Sequence, residues 1–103
     1  MAERINKENY AEKTKAGLVL VDFYSDSCIP CKKLNPVLGD AEEELKGSVS
    51  FYKVNTNFDL DIAKANGVAS TPTLVLLKDV KELDRKSGFL PKEVLLEWLK
   101  EKL

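Results

Sequence analysis

An apolar run that leads directly into a pair of cysteines constrains this chain more than any other feature. Residues 18–24 are apolar except for Asp22, a pattern typical of a strand buried on both faces of a sheet. Cys28 and Cys31 follow, where the residue pattern predicts the start of a helix, and they are the only cysteines in 103 residues. The sequence therefore predicts a central strand that delivers a Cys-x-x-Cys pair to a helix start.

This cysteine pair predicts redox chemistry. Two thiols one helical turn apart can close into a disulfide or stay reduced, and so carry two electrons. Free N–H groups and the positive dipole end at a helix start favour thiolate, the form that attacks sulfur. We assign Cys28 as the nucleophile and Cys31 as the thiol that resolves the mixed disulfide. The competing interpretation is two inert buried cysteines, against which Pro30 between them argues.

The lack of histidine excludes several other chemistries. Without histidine there is no Ser-His or Cys-His catalytic pair. Cys28 and Cys31 alone would supply half of the ligands that a zinc ion needs, so a metal would have to be shared between two chains. We predict that the protein uses no metal and no bound cofactor, because the electrons reside in the two sulfur atoms.

Charge and hydropathy narrow the range of partners. Sixteen basic and 17 acidic side chains give a net charge of −1 and are interleaved, so we expect no nucleic-acid partner. No apolar stretch approaches the roughly 20 residues of a membrane-spanning helix. The N-terminus has no apolar core of a signal peptide, and two cysteines are too few for a secreted disulfide scaffold, so we expect a cytoplasmic protein.

Periodicity and capping residues predict the order β-α-β-α-β-α-β-β-α. Alternating strands and helices imply parallel strands with right-handed crossovers, and the last two strands add antiparallel edges. The predicted elements are a short strand in 2–5, a helix from a cap at Asn6 to Ala16, strand 18–24, helix 29–45 with Pro36 inside it, strand 49–55, a short helix capped by Asp59 and ended by Asn66-Gly67, strand 73–77, an edge strand near 82–86, and a last helix that starts at Leu90-Pro91.

With these elements in place, the chain resembles the thioredoxin family over essentially its whole length. The resemblance rests on the Val-Asp-Phe strand with Asp22, Cys28-x-Pro30-Cys31-Lys32, Pro36, Lys53, Thr71-Pro72-Thr73 and Gly88. It implies an α/β thioredoxin fold, one mixed five-stranded sheet flanked by four helices, as a single domain over residues 1–103. It also implies a monomeric protein disulfide reductase that acts on disulfide-containing proteins and is reduced by a thioredoxin-reductase-type protein.

The resemblance also implies roles for two charged residues. Asp22 lies on an apolar strand, where a carboxyl group is costly to bury. The resemblance implies that Asp22 accepts a proton from Cys31 through a water. It also implies that desolvation raises the pKa of Asp22. Lys53 would modulate Asp22. The competing interpretations are an aspartate that reaches solvent at the strand end and an ordinary exposed lysine.

By the same resemblance, Pro72 follows a cis peptide bond and leaves the Thr71 backbone free to bind an extended substrate segment. The alternative is a trans proline that starts a strand. The expected contact surface around the reactive sulfur is shallow and apolar, and comprises Ile29, Pro30, Ser70, Thr71, Gly88 and Phe89.

The motif departs from the family pattern at two positions, and two alternative functions stay open. The family has Trp-Cys-Gly-Pro-Cys where this chain has Ser27-Cys28-Ile29-Pro30-Cys31. The loss of the tryptophan removes a large flat surface beside the reactive sulfur, and Ile29 adds a β-branched side chain at the tip. The first alternative, which Ser27 and Ile29 favour, is a binding or scaffold protein whose cysteines do not turn over. The second is a glutathione-linked, glutaredoxin-like enzyme, although the Cys-Pro-aromatic-Cys pattern is absent.

Overall fold

The computed structural model describes residues 2–103, so that only Met1 of the predicted domain lies outside it. Its elements follow the predicted order. They are β1 (Glu3–Arg4), α1 (Tyr10–Lys13), β2 (Leu18–Tyr24), α2 (Ile29–Glu44), β3 (Ser50–Asn55), α3 (Leu60–Ala65), β4 (Thr73–Lys78), β5 (Lys81–Ser87) and α4 (Lys92–Lys100).

A single mixed sheet with the strand order β1-β3-β2-β4-β5 organises the molecule. Strand β2 is central: it pairs in parallel with β3 and antiparallel with β4. Strand β5 pairs antiparallel with β4, and β1 pairs in parallel with β3. The predicted α/β fold, with five strands, four helices and an antiparallel edge, is confirmed.

Alternate side chains of β2 enter two separate hydrophobic clusters. Leu20 packs with residues of α2 and α4, among them Leu34 and Trp98. Val21 and Phe23 pack on the opposite face with Ile62 of α3. Because successive side chains of a strand point to opposite faces, this pattern places helices on both sides of the sheet. Asp22 has the parity of Leu20 and therefore lies on the side of α2.

Two predicted helix details differ from the structure. Helix α1 spans four residues and does not reach Ala16. The Asn6 side chain instead caps a turn, accepting the N–H groups of Glu8 and Asn9, and the Thr14 hydroxyl donates to the Tyr10 carbonyl at 2.8 Å. Such side-chain bonds to nearby backbone compete with helix propagation.

The second detail concerns the start of α3. Asp59 is the N-cap residue of this helix, as predicted, but within the described residues its side chain makes no capping hydrogen bond. Its Oδ1 atom instead accepts the backbone N–H of Lys7 at 3.3 Å, which links α3 to the segment before α1. The carboxylate is therefore used for a long-range contact.

The predicted tight turn between β4 and β5 consists of Asp79 and Val80, both at positive φ (49° and 81°). The Asp79 carboxylate accepts the N–H of Gly17 at 2.9 Å, and the Asp79 N–H donates to the Gly17 carbonyl at 3.0 Å. This turn is thus tied to the start of β2. Within residues 2–103, no helix has the length and apolar character needed to cross a membrane.

Candidate active site

Cys28 and Cys31 form a disulfide at the N-terminus of α2, with their Cα atoms 5.2 Å apart. Cys28 is the N-cap residue in an extended conformation, and its Sγ accepts the N–H of Cys31 at 3.1 Å. Pro30 occupies the second helical position, where its missing N–H costs no helix hydrogen bond. The sulfur atoms are therefore held where helix N–H groups stabilise negative charge.

The two cysteines differ in accessibility. Cys31 is buried, whereas Cys28 is half-buried at the edge of the site. Ile29, between them, is 61% exposed, and Pro30 is also exposed. An incoming disulfide therefore meets Cys28 first, with apolar side chains beside it.

Asp22 is buried on the α2 side of the sheet and is 2% exposed. Its Oδ1 atom has no hydrogen-bond partner among the described residues. Burial raises the pKa of Asp22 to about 7, and the positive charge of Lys53 opposes that rise as a smaller effect. The predicted alternative, a strand-end aspartate that reaches solvent, is wrong, because Asp22 is buried and β2 continues for two residues beyond it.

Lys53 lies opposite Asp22 in the register of β2 and β3. It is half-buried, and its Nζ atom lies 5.5 Å from the centre of the Tyr24 ring. Across the described residues, no ion pair joins Lys53 to Asp22. Lys53 thus acts on Asp22 through its charge without direct contact.

The loop before β4 approaches the cysteine segment. The Thr71–Pro72 peptide bond is cis, as the resemblance implies. The Thr71 and Ser25 hydroxyls lie 3.1 Å apart and share a hydrogen bond, which joins this loop to the segment between β2 and Cys28. The Gly88 N–H donates to the Pro72 carbonyl at 2.8 Å, so Gly88 belongs to the same group. The predicted residues of the loop, Thr71, Pro72 and Gly88, are therefore brought together.

Two features of this loop matter for substrate binding. Throughout residues 2–103, neither the N–H nor the carbonyl of Thr71 makes a backbone hydrogen bond. Ser70 is exposed, and its carbonyl accepts the Thr73 hydroxyl at 2.7 Å. Phe89 is exposed next to Gly88. A polypeptide segment can therefore pair with Thr71 without displacing an existing bond.

A side-chain network that the sequence analysis missed fixes the segment before Cys28. Asn55, buried at the end of β3, donates from Nδ2 to Asp26 Oδ1 at 2.8 Å and accepts the N–H of Asn57 at 2.8 Å. Asn57 in turn accepts the N–H of Asp26 at 2.8 Å. The polar Asn55 at the end of a buried strand, with Asn57 two residues later, is the only sequence signal of this network.

The described part of the chain has no cluster of three or more His, Cys, Asp or Glu side chains that could hold a metal ion. The arrangement that it does have is a dithiol–disulfide pair at a helix N-terminus, a buried carboxyl group on the adjacent strand and a cis-proline loop. Fold and site together define a thiol–disulfide oxidoreductase.

Comparison with known proteins agrees with this class. The thioredoxin family profile matches residues 1–101. The thioredoxin of Chlamydia caviae is 43% identical over 96 residues, covering 93% of both chains. That of Bacillus subtilis is 36% identical over 90 residues, covering 87% of this chain and 86% of its own. The chain belongs to the thioredoxin family, whose members act on disulfide substrates and are reduced by thioredoxin reductase.

Proposed function

We propose that this protein is a reductant of protein disulfides in which Cys28 attacks and Cys31 resolves. The position of Cys28 supports this order, because it is the more accessible sulfur and caps the helix N-terminus. That single observation carries the proposal, since a thiolate must be both stabilised and reachable in order to attack.

The reaction balances within the two cysteines and the substrate. The Cys28 thiolate forms a bond to one substrate sulfur and breaks the substrate disulfide, which leaves a mixed disulfide and one substrate thiolate. Cys31 then loses its proton and attacks Cys28 Sγ, which releases the second substrate thiolate and closes the Cys28–Cys31 disulfide. The two electrons gained by the substrate come from the two cysteines.

Asp22 is the proposed acceptor of the Cys31 proton. A carboxyl group whose pKa lies near neutrality can both take up and release a proton at physiological pH. Lys53 favours the ionised form of Asp22 and so keeps part of the population able to accept the proton. Direct attack by Cys31 without a base would be slower, because a buried thiol resists ionisation.

The proposed substrate surface comprises Ile29, Pro30, Ser70, Thr71, Pro72 and Gly88. An extended substrate segment would pair with the free Thr71 backbone as an added strand, while Ile29 and Pro30 contact its apolar side chains. Gly88, which has no side chain, permits close approach of a second backbone. A small contact area of this kind suits transient encounters with many disulfide-containing proteins.

A thioredoxin-reductase-type protein is the proposed electron donor, and the cytoplasm, where thiols are kept reduced, is the proposed setting. The experiment uses insulin as the disulfide substrate and dithiothreitol as the donor. We expect the purified protein to accelerate insulin reduction well above the dithiothreitol background. A rate equal to that background would refute the proposal and favour a binding protein whose cysteines do not turn over.

A further inference from the structure

A small cavity adjoins Asp22 between the sheet and α2. It measures about 20 Å³, and a single water needs roughly 10–15 Å³ of such volume. Its wall is formed by Ala2, Asp22, Asn35, Leu38, Gly39 and Lys53. The cavity is therefore large enough for one water and too small for a substrate group.

Asp22 supplies a reason for a water to occupy this cavity. Its Oδ1 atom is buried and has no hydrogen-bond partner within the described residues. A buried carboxyl oxygen without a partner is costly, and buried waters bind where such groups need one. Lys53 also lines the wall, and its Nζ atom lies over the Tyr24 ring. A water in the cavity would satisfy this oxygen of Asp22.

Gly39 is unexpected in this position. It lies in the interior of α2, where glycine destabilises a helix relative to alanine. Its φ is not positive, and a Cβ atom built on it would meet no atom of residues 2–103 within 4 Å. Neither backbone conformation nor close packing therefore requires glycine. Because Gly39 has no side chain, open space remains at the wall of the cavity.

Asn35 is the exposed polar residue of the same wall. Cys31, Asn35 and Gly39 are spaced four residues apart, so they follow one another along the same side of α2. The Asn35 amide can both donate to and accept from water. This side of the helix therefore connects the resolving cysteine, the cavity wall and solvent.

Few charges act on Asp22 from the surrounding elements. Lys53 faces it from β3, and its register partner on β4 is Leu74. Among the described residues, those of α2 that line the wall are the uncharged Asn35, Leu38 and Gly39. Hydration through the cavity is thus the main local variable, besides Lys53, that can favour the ionised carboxyl group.

We propose that Asn35 and Gly39 form the solvent entrance of a one-water cavity through which Asp22 exchanges its proton. The inference rests on the proposed function, in which the Cys31 proton passes to the Asp22 carboxylate. From there the proton moves to the cavity water and then past Asn35 and Gly39 to bulk water. Both residues are positioning residues, because they act through Asp22 and do not contact the reacting sulfurs.

The test fills the entrance with a larger side chain and measures the pKa of Asp22 directly. Gly39→Leu places a side chain in the open space, excludes water and favours the neutral carboxyl group. We expect the pKa of Asp22, measured in the oxidised protein by carboxyl-carbon NMR, to rise by about 1 unit or more from its value near 7. The resolving step at pH 7 should slow at least about fivefold, while the first attack by Cys28 keeps its rate.

Glu43→Leu is the matched control, because it adds the same side chain to an exposed site one turn further along α2. It should leave the Asp22 pKa unchanged. Gly39→Ala is the milder variant: it should stabilise the protein against urea while raising the Asp22 pKa by a smaller amount. Asn35→Ala should slow the resolving step without lowering stability.

Gly39→Ala should raise stability and at the same time slow proton transfer. If Gly39 had only a structural role, the substitution would change stability and leave the Asp22 pKa unaltered. An Asp22 pKa that is the same in wild type, Gly39→Ala and Gly39→Leu would overturn the inference. Because the NMR titration uses the oxidised protein and needs no turnover, it remains decisive even if insulin reduction fails. Conversely, activity with an unaltered pKa in the variants would reject the entrance and leave the proposed function intact.

Discussion

Asp22 on β2 and Lys53 on β3 are register partners in a parallel strand pair, so a buried carboxyl group and a half-buried ammonium group extend to the same side of the sheet. Burial raises the pKa of Asp22 to about 7, and the charge of Lys53 only partly offsets that rise. An exposed aspartate, with a pKa near 3.9, would stay ionised at neutral pH. Asp22 instead changes its charge in the range where the protein works.

The first prediction concerns the pH dependence of stability. The folded state holds the Asp22 proton up to about pH 7, whereas the unfolded chain loses it near pH 4. The folded form therefore binds more protons between these values, and the free energy of unfolding falls as the pH rises through this window. The difference between a pKa of about 7 in the folded state and about 3.9 in the unfolded chain corresponds to about 4 kcal/mol. Asp22→Asn should remove this loss and be more stable than wild type above pH 7.

Urea unfolding of the oxidised protein from pH 4 to pH 9 measures the effect. Wild type and Asp22→Asn should have similar free energies of unfolding near pH 4, and the two values should diverge as the pH rises. Asp61→Asn, at an exposed position on α3, is the control and should follow the wild-type curve. A constant difference between Asp22→Asn and wild type at every pH would contradict the assigned pKa.

The second prediction assigns the two sulfurs. Cys28→Ser should lower insulin reduction to the dithiothreitol background, because serine cannot attack a disulfide. Cys31→Ser should instead accumulate a covalent mixed disulfide with the substrate, because the resolving thiol is missing. Non-reducing electrophoresis and mass spectrometry detect this species. If Cys28→Ser traps the substrate and Cys31→Ser does not, the two roles must be exchanged.

Much of the fold was predictable because its signals are local. The apolar run of β2 marks a strand buried on both faces, and Pro30 marks the first turn of α2. Strand and helix periods then predict the element order. The length of α1 was not predictable, because the Thr14 side-chain bond that accompanies its end competes with a helical pattern that continues to Ala16.

The candidate site was predictable where residue type carries the chemistry. Cys28 and Cys31 are the only sulfur pair, and a carboxyl group in an apolar run indicates a perturbed pKa. The Asn55–Asp26 bond joins residues 29 positions apart, and both are common polar residues. Only the parallel register of β2 and β3 brings them together, so no local pattern predicts the contact.

The third prediction concerns the β4–β5 turn. Val80 has a φ of 81° and is 62% exposed, a conformation that is unfavourable for a β-branched residue. Val80→Gly should raise the free energy of unfolding by about 1 kcal/mol, since relief of strain exceeds the added flexibility of glycine. Urea unfolding measures this change in the free energy of unfolding. Val80→Ala keeps the Cβ atom and should give a smaller gain; an equal gain from both would show that the β carbon is not the cause.

The last prediction concerns the network that holds the segment before Cys28. Asn55 is 2% exposed and makes one hydrogen bond to Asp26 and one to Asn57. Asn55→Ala removes both bonds and should lower the free energy of unfolding by about 2 kcal/mol, at about 1 kcal/mol for each bond.

Asn57→Ala is the matched variant, because it removes only the bond to the Asp26 N–H and keeps Asn55 in place. Asn57→Ala should lower the free energy of unfolding by about half as much as Asn55→Ala does. Loss of Asn55 should also raise the KM for insulin more than it lowers kcat, because the Ser25–Thr71 contact depends on the same segment. Equal stability losses in the two variants, with an unchanged KM, would show that Asn55 serves the β3 end alone and does not position the cysteine segment.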